Sequence, residues 1–305
     1  MTSDGDNPHQ PAWPVGAILA TVAYADIFDF PLTEAEIHRY VSGAAVSADD
    51  IRGCLHAELV PHKLSRRDNY YMLPGREHLV DIRRQRAETA RRLWPLARQY
   101  GQRIAALPFV RMVAVTGSLA VNNPDPQADV DYFIVTADDR LWLCRALVIG
   151  VVHLAARRGV RLCPNYLIAA RALHGFTRNI YIARELTQMV PIAGWPVYWR
   201  MRRLNAWTAD YLPNAGLTPP IVPQRTRPAV WQRVAQGVGE PVLRTPLGAA
   251  LERWEQRRKI QKLAGLGLND ETEFGPDWCK GHFDAHAQRV LQKFNAQLET
   301  LRSES

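Results

Sequence analysis

Lysine is scarce in this chain. Of 38 basic residues only five are lysine, at positions 63, 259, 262, 280 and 293, and the rest are arginine. Such a bias follows genomic base composition as readily as function, which dulls it as a nucleic-acid signature. Cysteine is sparse too: Cys54, Cys144, Cys163 and Cys279 lie far apart with no paired spacing. That excludes a disulfide scaffold and reads as reduced thiols in a cytoplasmic protein. No repeat or low-complexity tract is found, so solenoid and fibrous architectures fall away. Long apolar runs are missing as well. The most apolar stretch, residues 141–156, is too short to span a bilayer and carries Arg145 and His153, so a buried helix is expected. Residues 1–14 are polar and acidic without an apolar segment, which predicts a flexible tail rather than a signal peptide.

What is present is ordinary for a folded protein: 305 residues, 47% hydrophobic and 22% charged. That length allows two or three domains and a substantial core. The net charge of +8 favours phosphate-bearing partners.

The most informative stretch is residues 113–136, VAVTGSLAVNNPDPQADVDYFIVT. A short apolar strand ends in Gly117-Ser118, a polar turn follows, and a second apolar strand carries Asp129 and Asp131. Alternation along a strand sends both aspartates to one face, a few ångströms apart. Carboxylates held that close repel unless a cation sits between them, which points to bound Mg²⁺. Gly-Ser just past a strand offers free backbone N–H groups and a hydroxyl to a phosphate. Metal and phosphate sites on neighbouring strands imply a nucleoside triphosphate.

These residues resemble the nucleotidyltransferase superfamily typified by DNA polymerase β. Its signature is an apolar residue, Gly-Ser or Gly-Gly, about ten residues, then Asp-apolar-Asp-apolar. Thr116-Gly117-Ser118, ten intervening residues and Asp129-Val130-Asp131-Tyr132 fit it. More widely, YADIFDFPLTEAEIHRY, YYMLPGREHLVDIR, RLWLCRALV and IYIARELTQMVP are similar to bacterial nucleotidyltransferase-domain proteins with an N-terminal winged-helix-like segment. That resemblance implies a fold and a chemistry but no acceptor. By it, Asp129 and Asp131 hold two Mg²⁺ ions, one carried by the triphosphate and one activating the acceptor hydroxyl. Ser118 and the backbone from Gly117 to Leu119 grip the β- and γ-phosphates. In-line attack at the α-phosphorus releases pyrophosphate.

One departure from the family pattern concerns the third carboxylate that most active members carry on a later strand. The next apolar strand, residues 161–169, offers Asn165 there, a neutral ligand that weakens the site for hard cations. Glu185 either supplies the missing carboxylate, as metal ligand or general base, or pairs with Arg184 or Arg178 on a solvated helix face. Arg140 and Arg145 open the helix after the aspartate strand; they either reach triphosphate oxygens or buttress the fold through salt bridges.

The rest of the chain supports a mixed α/β (α+β) fold. Residues 15–75 read as three helices and a hairpin, a winged-helix-like domain, with a capping box from Thr33 to Glu36. Its third helix has only Arg52 among Asp49, Asp50 and Glu58, so docking or oligomerisation is expected before DNA binding. Residues 76–107 predict a long, arginine-rich connecting helix bent near Pro95. That helix presents either a solvated face or an electrostatic track for a nucleic-acid acceptor. Residues 108–212 form the palm with its mixed sheet, and the helices that follow; 213–228 a Pro-rich linker; 229–305 a C-terminal helical region. Cys279, His282 and His286 have a metal-like spacing, with no fourth ligand for structural zinc beyond Asp277, so surface or capping histidines are expected.

The expectation is therefore a Mg²⁺-dependent nucleotidyltransferase using an NTP, with ATP foremost, and an acceptor that is a small molecule, a protein or RNA. The rivals are a catalytically inactive palm used for nucleotide sensing or scaffolding, and a winged-helix DNA-binding regulator.

Overall fold

The computed structural model describes residues 14–60, 62–221, 230–264, 272–281 and 286–303. Its mixed α/β architecture begins with α1 (Val15–Asp26), a helix buried along nearly its whole length. After it come β1 (Leu32–Thr33), α2 (Glu34–Tyr40), α3 (Ala48–Cys54), a π turn at Leu55–Leu59, β2 (Ser65–Arg67) and β3 (Tyr70–Met72). The predicted hairpin closes at Asp68, whose φ is +58°, and β1 adds a third strand to give the order β1-β3-β2. Thr33 and Glu36 form the expected capping box. Ile18, Leu32, Ile37, Ile51 and Leu55 build the core of this N-terminal module.

The long helix α4 (Leu79–Ala105) runs unbroken through Pro95. Its arginines are mostly spoken for. Arg83 is 8% exposed, pairs with Glu36 at 2.6 Å and lies over the Phe30 ring. Arg84 pairs with Asp68, Arg86 with Asp125 at 3.0 Å, and Arg91 with Glu88 at 2.5 Å. The arginine-rich face thus ties the N-terminal module to the rest of the chain.

The second half is organised on β4 (Val110–Val115), the one-turn helix α5 (Gly117–Ala120), β5 (Val130–Thr136), α6 (Leu141–Ala156) and β6 (Leu162–Ala169). β4 and β5 are antiparallel, β5 and β6 parallel. Alternation divides the side chains: Val113, Tyr132 and Ile134 pack under α4 and α6, while Met112, Phe133 and Val135 pack towards α1 and α7 (Ile180–Gln188). Residues after the palm were expected to be mainly helical. They do supply α8 (Trp195–Leu204) and α9 (Thr208–Tyr211), but also β7 (Val190–Ala193), which pairs with β4.

The C-terminal region also departs from an all-helical reading. It supplies α10 (Val230–Leu243), α11 (Pro246–Ala264) and α12 (His286–Ser303), together with β8 (Thr272–Phe274) and β9 (Trp278–Gly281). β9 pairs with β6, completing the six-stranded order β7-β4-β5-β6-β9-β8. Short strands whose partner lies over a hundred residues away leave no local periodic signal. The proposed tail and much of the proposed linker, residues 1–13 and 222–229, lie outside the described residues. No described helix is long and apolar enough to cross a membrane.

The apolar α6 is buried as expected, and its N-terminus is closed by Glu252 of α11, 7% exposed. This carboxylate accepts from the Trp142 N–H at 2.9 Å and the Leu143 N–H at 2.7 Å. An anion at a helix N-terminus satisfies orphan donors and complements the dipole. Glu252→Ala should therefore lower unfolding stability by about 1–3 kcal/mol, read by urea denaturation. An unchanged midpoint and slope would mean that the cap contributes nothing.

Candidate functional site

β4 runs into α5 through Thr116 and Gly117. Gly117 takes φ +65°, and a Cβ there would collide with the Asp131 carboxylate. Glycine alone meets both demands, a left-handed backbone and a close approach. The Thr116 N–H donates to the Asp131 carbonyl at 3.0 Å, and the Asn123 N–H to the Ser118 carbonyl at 2.8 Å. These bonds pin the Gly-Ser turn across the start of β5. Asp129 immediately precedes that strand, and Asp131 shares a face with Phe133 and Val135.

Asp131 sits beside Cys163 in the parallel β5–β6 register, and the ladder slips by one residue before Phe133 meets Tyr166. A bulge of this kind re-aims side chains at a sheet end. Ligand atoms of Asp129, Asp131 and Cys163 all lie within 4.8 Å of one another. Sequence reasoning missed Cys163. It attended to Asn165, two residues on, because the register that brings the thiol to Asp131 is set by tertiary pairing.

A cavity of about 630 Å³ opens over this cluster. Gly117, Ser118, Asp129, Asp131, Asn165 and Glu185 all line it. α7, capped by Asn179 through the Ile182 N–H at 2.8 Å, adds Tyr181, Arg184 and Gln188 at helical spacing. The N-terminal module contributes the opposite wall, including Tyr24, Phe28 and Tyr40, and α12 adds His286 and Arg289.

The electrostatics follow from this enclosure. Burial pushes the Asp131 carboxyl up to about 7, reinforced by the negative charges of Asp129 and then Glu185 and opposed by a hydrogen bond from Cys163. Glu185 is also raised to about 7 by burial, with Lys280 opposing. Burial, with the two aspartates beside it, pushes the Cys163 thiol up to about 12. Glu185 faces the cavity and is not on a solvated face. Arg184, one of the two partners considered for it, turns instead to the Tyr40 carbonyl at 3.1 Å.

Arg140 and Arg145 do not reach the cavity. Arg140 donates to the Asp139 carbonyl at 2.7 Å and lies over the Phe109 ring; Arg145 lies over Trp142. They sit beyond the C-terminal end of β5, about 20 Å of strand from the Asp131 end. The helix terminus they flank is already filled by Glu252. Cys279 is buried in β9, and His282 lies outside the described residues. Asp129, Asp131 and Cys163 are the metal-like group among the described residues.

Two carboxylates offer the hard oxygen donors that Mg²⁺ takes, so the pair fits that ion. The Cys163 sulfur is a softer donor that Mg²⁺ uses poorly and Zn²⁺ accepts readily. Comparisons with family models, with curated proteins and with solved structures returned no significant match to this chain.

The raised carboxyl groups carry a pH signature. Unfolded carboxyls titrate near 4, whereas folded Asp131 and Glu185 titrate at about 7. Between those values the folded state binds more protons, so metal-free stability should fall as pH rises towards 7 and flatten above. Asp131→Asn removes part of that slope. Urea titrations from about pH 5 to about pH 8 should therefore show its stability relative to the parent increasing with pH. A constant difference would refute the shift at Asp131.

Proposed function

We propose that this chain is a divalent-cation-dependent nucleotidyltransferase, with the sheet strands β4, β5 and β6 as its palm and the N-terminal module as a winged-helix-like domain. It would move a nucleoside monophosphate from an NTP, with ATP the expected donor, to an acceptor hydroxyl. One observation carries this reading: the Asp129 and Asp131 carboxylates converge at a cavity that Gly117, Ser118 and Glu185 also line.

Asp129 and Asp131 would hold the Mg²⁺ ions. Bound there, the ions would offset charge on the triphosphate and lower the pKa of the acceptor hydroxyl. The Gly117–Ser118 turn presents backbone N–H groups and a hydroxyl to the departing phosphates. Glu185, with its carboxyl raised to about 7, is suited to accept the acceptor proton near neutral pH. The acceptor oxygen bonds to the α-phosphorus, the bond to the bridging oxygen breaks, and pyrophosphate leaves.

A second reading keeps the nucleotide but not the turnover. Cys163, a neutral thiol, stands beside Asp131 near the third-ligand position, which favours a sensing or scaffolding palm. DNA binding through α3 is disfavoured because Arg52, its one cation, pairs with Glu34 at 2.9 Å and Asp49 at 2.9 Å.

Asp129→Asn with Asp131→Asn should leave the fold intact and the metal-free protein no less stable, since a repulsion is relieved. The thermal shift given by NTP with Mg²⁺ should vanish, and with it pyrophosphate release. Ser118→Ala should weaken NTP binding by about 1.5–3 kcal/mol, the loss of one hydrogen bond to a charged acceptor. Glu185→Gln should retain NTP and lose turnover. If the double variant binds and transfers as well as the parent, the aspartates are not the active site. Parent protein that binds NTP without releasing pyrophosphate on any acceptor favours the second reading.

A further inference from the structure

Arg184 is 3% exposed, yet no carboxylate pairs with it among the described residues. Among the described residues its guanidinium makes one hydrogen bond, to the Tyr40 carbonyl, and it lies 4.5 Å from the Tyr24 ring centre and 5.1 Å from that of Tyr40. Its Nε is buried without a partner. Burial disfavours the cation, and the groups acting on its charge are the two phenols. The other deeply buried arginines differ. Arg83 has Glu36, and Arg202, whose Nε is likewise unpartnered, donates to two carbonyls, of Leu186 and Gly216, and does not line the cavity. Arg184 is the one that lines the cavity. A buried cation left with an unused donor is costly unless an anion completes it.

We infer that Arg184 forms the anion pocket of the acceptor subsite, and that the acceptor is a small organic acid bearing a planar ring. This inference rests on the nucleotidyltransferase reading for the word acceptor, but not for the binding itself. Glu185 and Arg184 are consecutive on α7 and both line the cavity, Glu185 near enough to Asp131 to raise its carboxyl and Arg184 against the Tyr24 and Tyr40 rings. A molecule whose hydroxyl is held at Glu185 is therefore within reach of Arg184. The rings of Tyr24, Phe28 and Tyr181 wall that region and offer faces to a planar group. Arg289 of α12, exposed and with no ion pair among the described residues, lines the same cavity and adds positive charge. A volume of about 630 Å³ is in the range of small-molecule sites.

The test is calorimetric titration of the full chain, without metal or nucleotide, with benzoate, phenyl phosphate and neutral benzyl alcohol. At least one of the two anions should bind about tenfold or more tighter than the alcohol, and which one does so distinguishes a carboxylate from a phosphate acceptor. Arg184→Met should lose that preference and leave the alcohol's affinity unchanged. Arg184→Lys keeps the charge without the planar fork and should retain part of it. Should the methionine variant fail to fold, Arg289→Ala, at an exposed position, should still weaken the anion about threefold. Asp129→Asn with Asp131→Asn should bind the anion at least as well as the parent, which separates this result from loss of transfer. Equal binding of acid and alcohol, binding of neither, or undiminished preference in Arg184→Met would overturn the subsite. So would tight binding of a short single-stranded RNA with no binding of either acid.

Discussion

Everything around the cavity depends on a repulsion. Asp129 and Asp131 bring ligand oxygens within 4.8 Å of each other and of a thiol, at a sheet end partly closed to water. Coulomb energy between like charges at that range grows steeply as water is withdrawn, and the Asp131 proton is the protein's own means of relieving it. The surrounding residues keep the pair together without neutralising it. Gly117 gives up its side chain so that β4 can turn across the Asp131 carboxylate, and backbone bonds from Thr116 and Asn123 hold the turn in place. None of these contacts would be needed for a surface turn. They hold the turn against the carboxylate at a left-handed φ that glycine adopts without strain.

The N-terminal module belongs to the same arrangement. Helix α1 serves two cores at once: Ile18 and Val22 face the module, while Ala20 and Tyr24 pack with Phe133 and Tyr166 of the large sheet. Arg83 joins the Pro31 carbonyl and Glu36 to α4, and Arg76 ties Asp26 and Asp29. The module is thereby fixed as a wall of the cavity. The face it turns to the cavity is aromatic, at Tyr24, Phe28 and Tyr40.

The legible part of the site was the part written in consecutive residues. Gly117-Ser118 and Asp129-Val130-Asp131 announce a turn and a one-faced strand pair because period-two alternation is a local property. The capping box and α6 were legible for the same reason. Cys163 was not, because its approach to Asp131 depends on parallel pairing and on a bulge that lies in β6 rather than in any motif. β7 and β9 escaped notice because four-residue strands acquire identity only from the partner they meet. Arg140 and Arg145 misled because nearness in sequence to the aspartate strand was taken for nearness in space. A strand has two ends, and they flank the far one. Arg184 and Glu185 are neighbours in sequence with opposite surroundings, one against tyrosines and one facing acids, a distinction visible only once α7 is docked.

The cavity therefore carries charge of both signs. Asp129, Asp131 and Glu185 line it together with Arg184 and Arg289. A uniformly negative ligand would be repelled by the carboxylates, and a uniformly positive one by the guanidinium groups. On the proposed function, the occupant that satisfies both would be anionic, with divalent cations inserted where it meets the aspartates. Polyphosphate with its metal would be such an occupant, and Glu185, raised to about 7 by burial, would make the charge of the cavity adjustable near neutral pH. Protonated, it would admit negative charge beside it; ionised, it could receive a proton from a hydroxyl held there. The overall charge of +8 is spread over the whole chain, and the paired arginines of α4 lie outside the cavity lining. Selectivity would rest instead on the few charged groups that line the cavity.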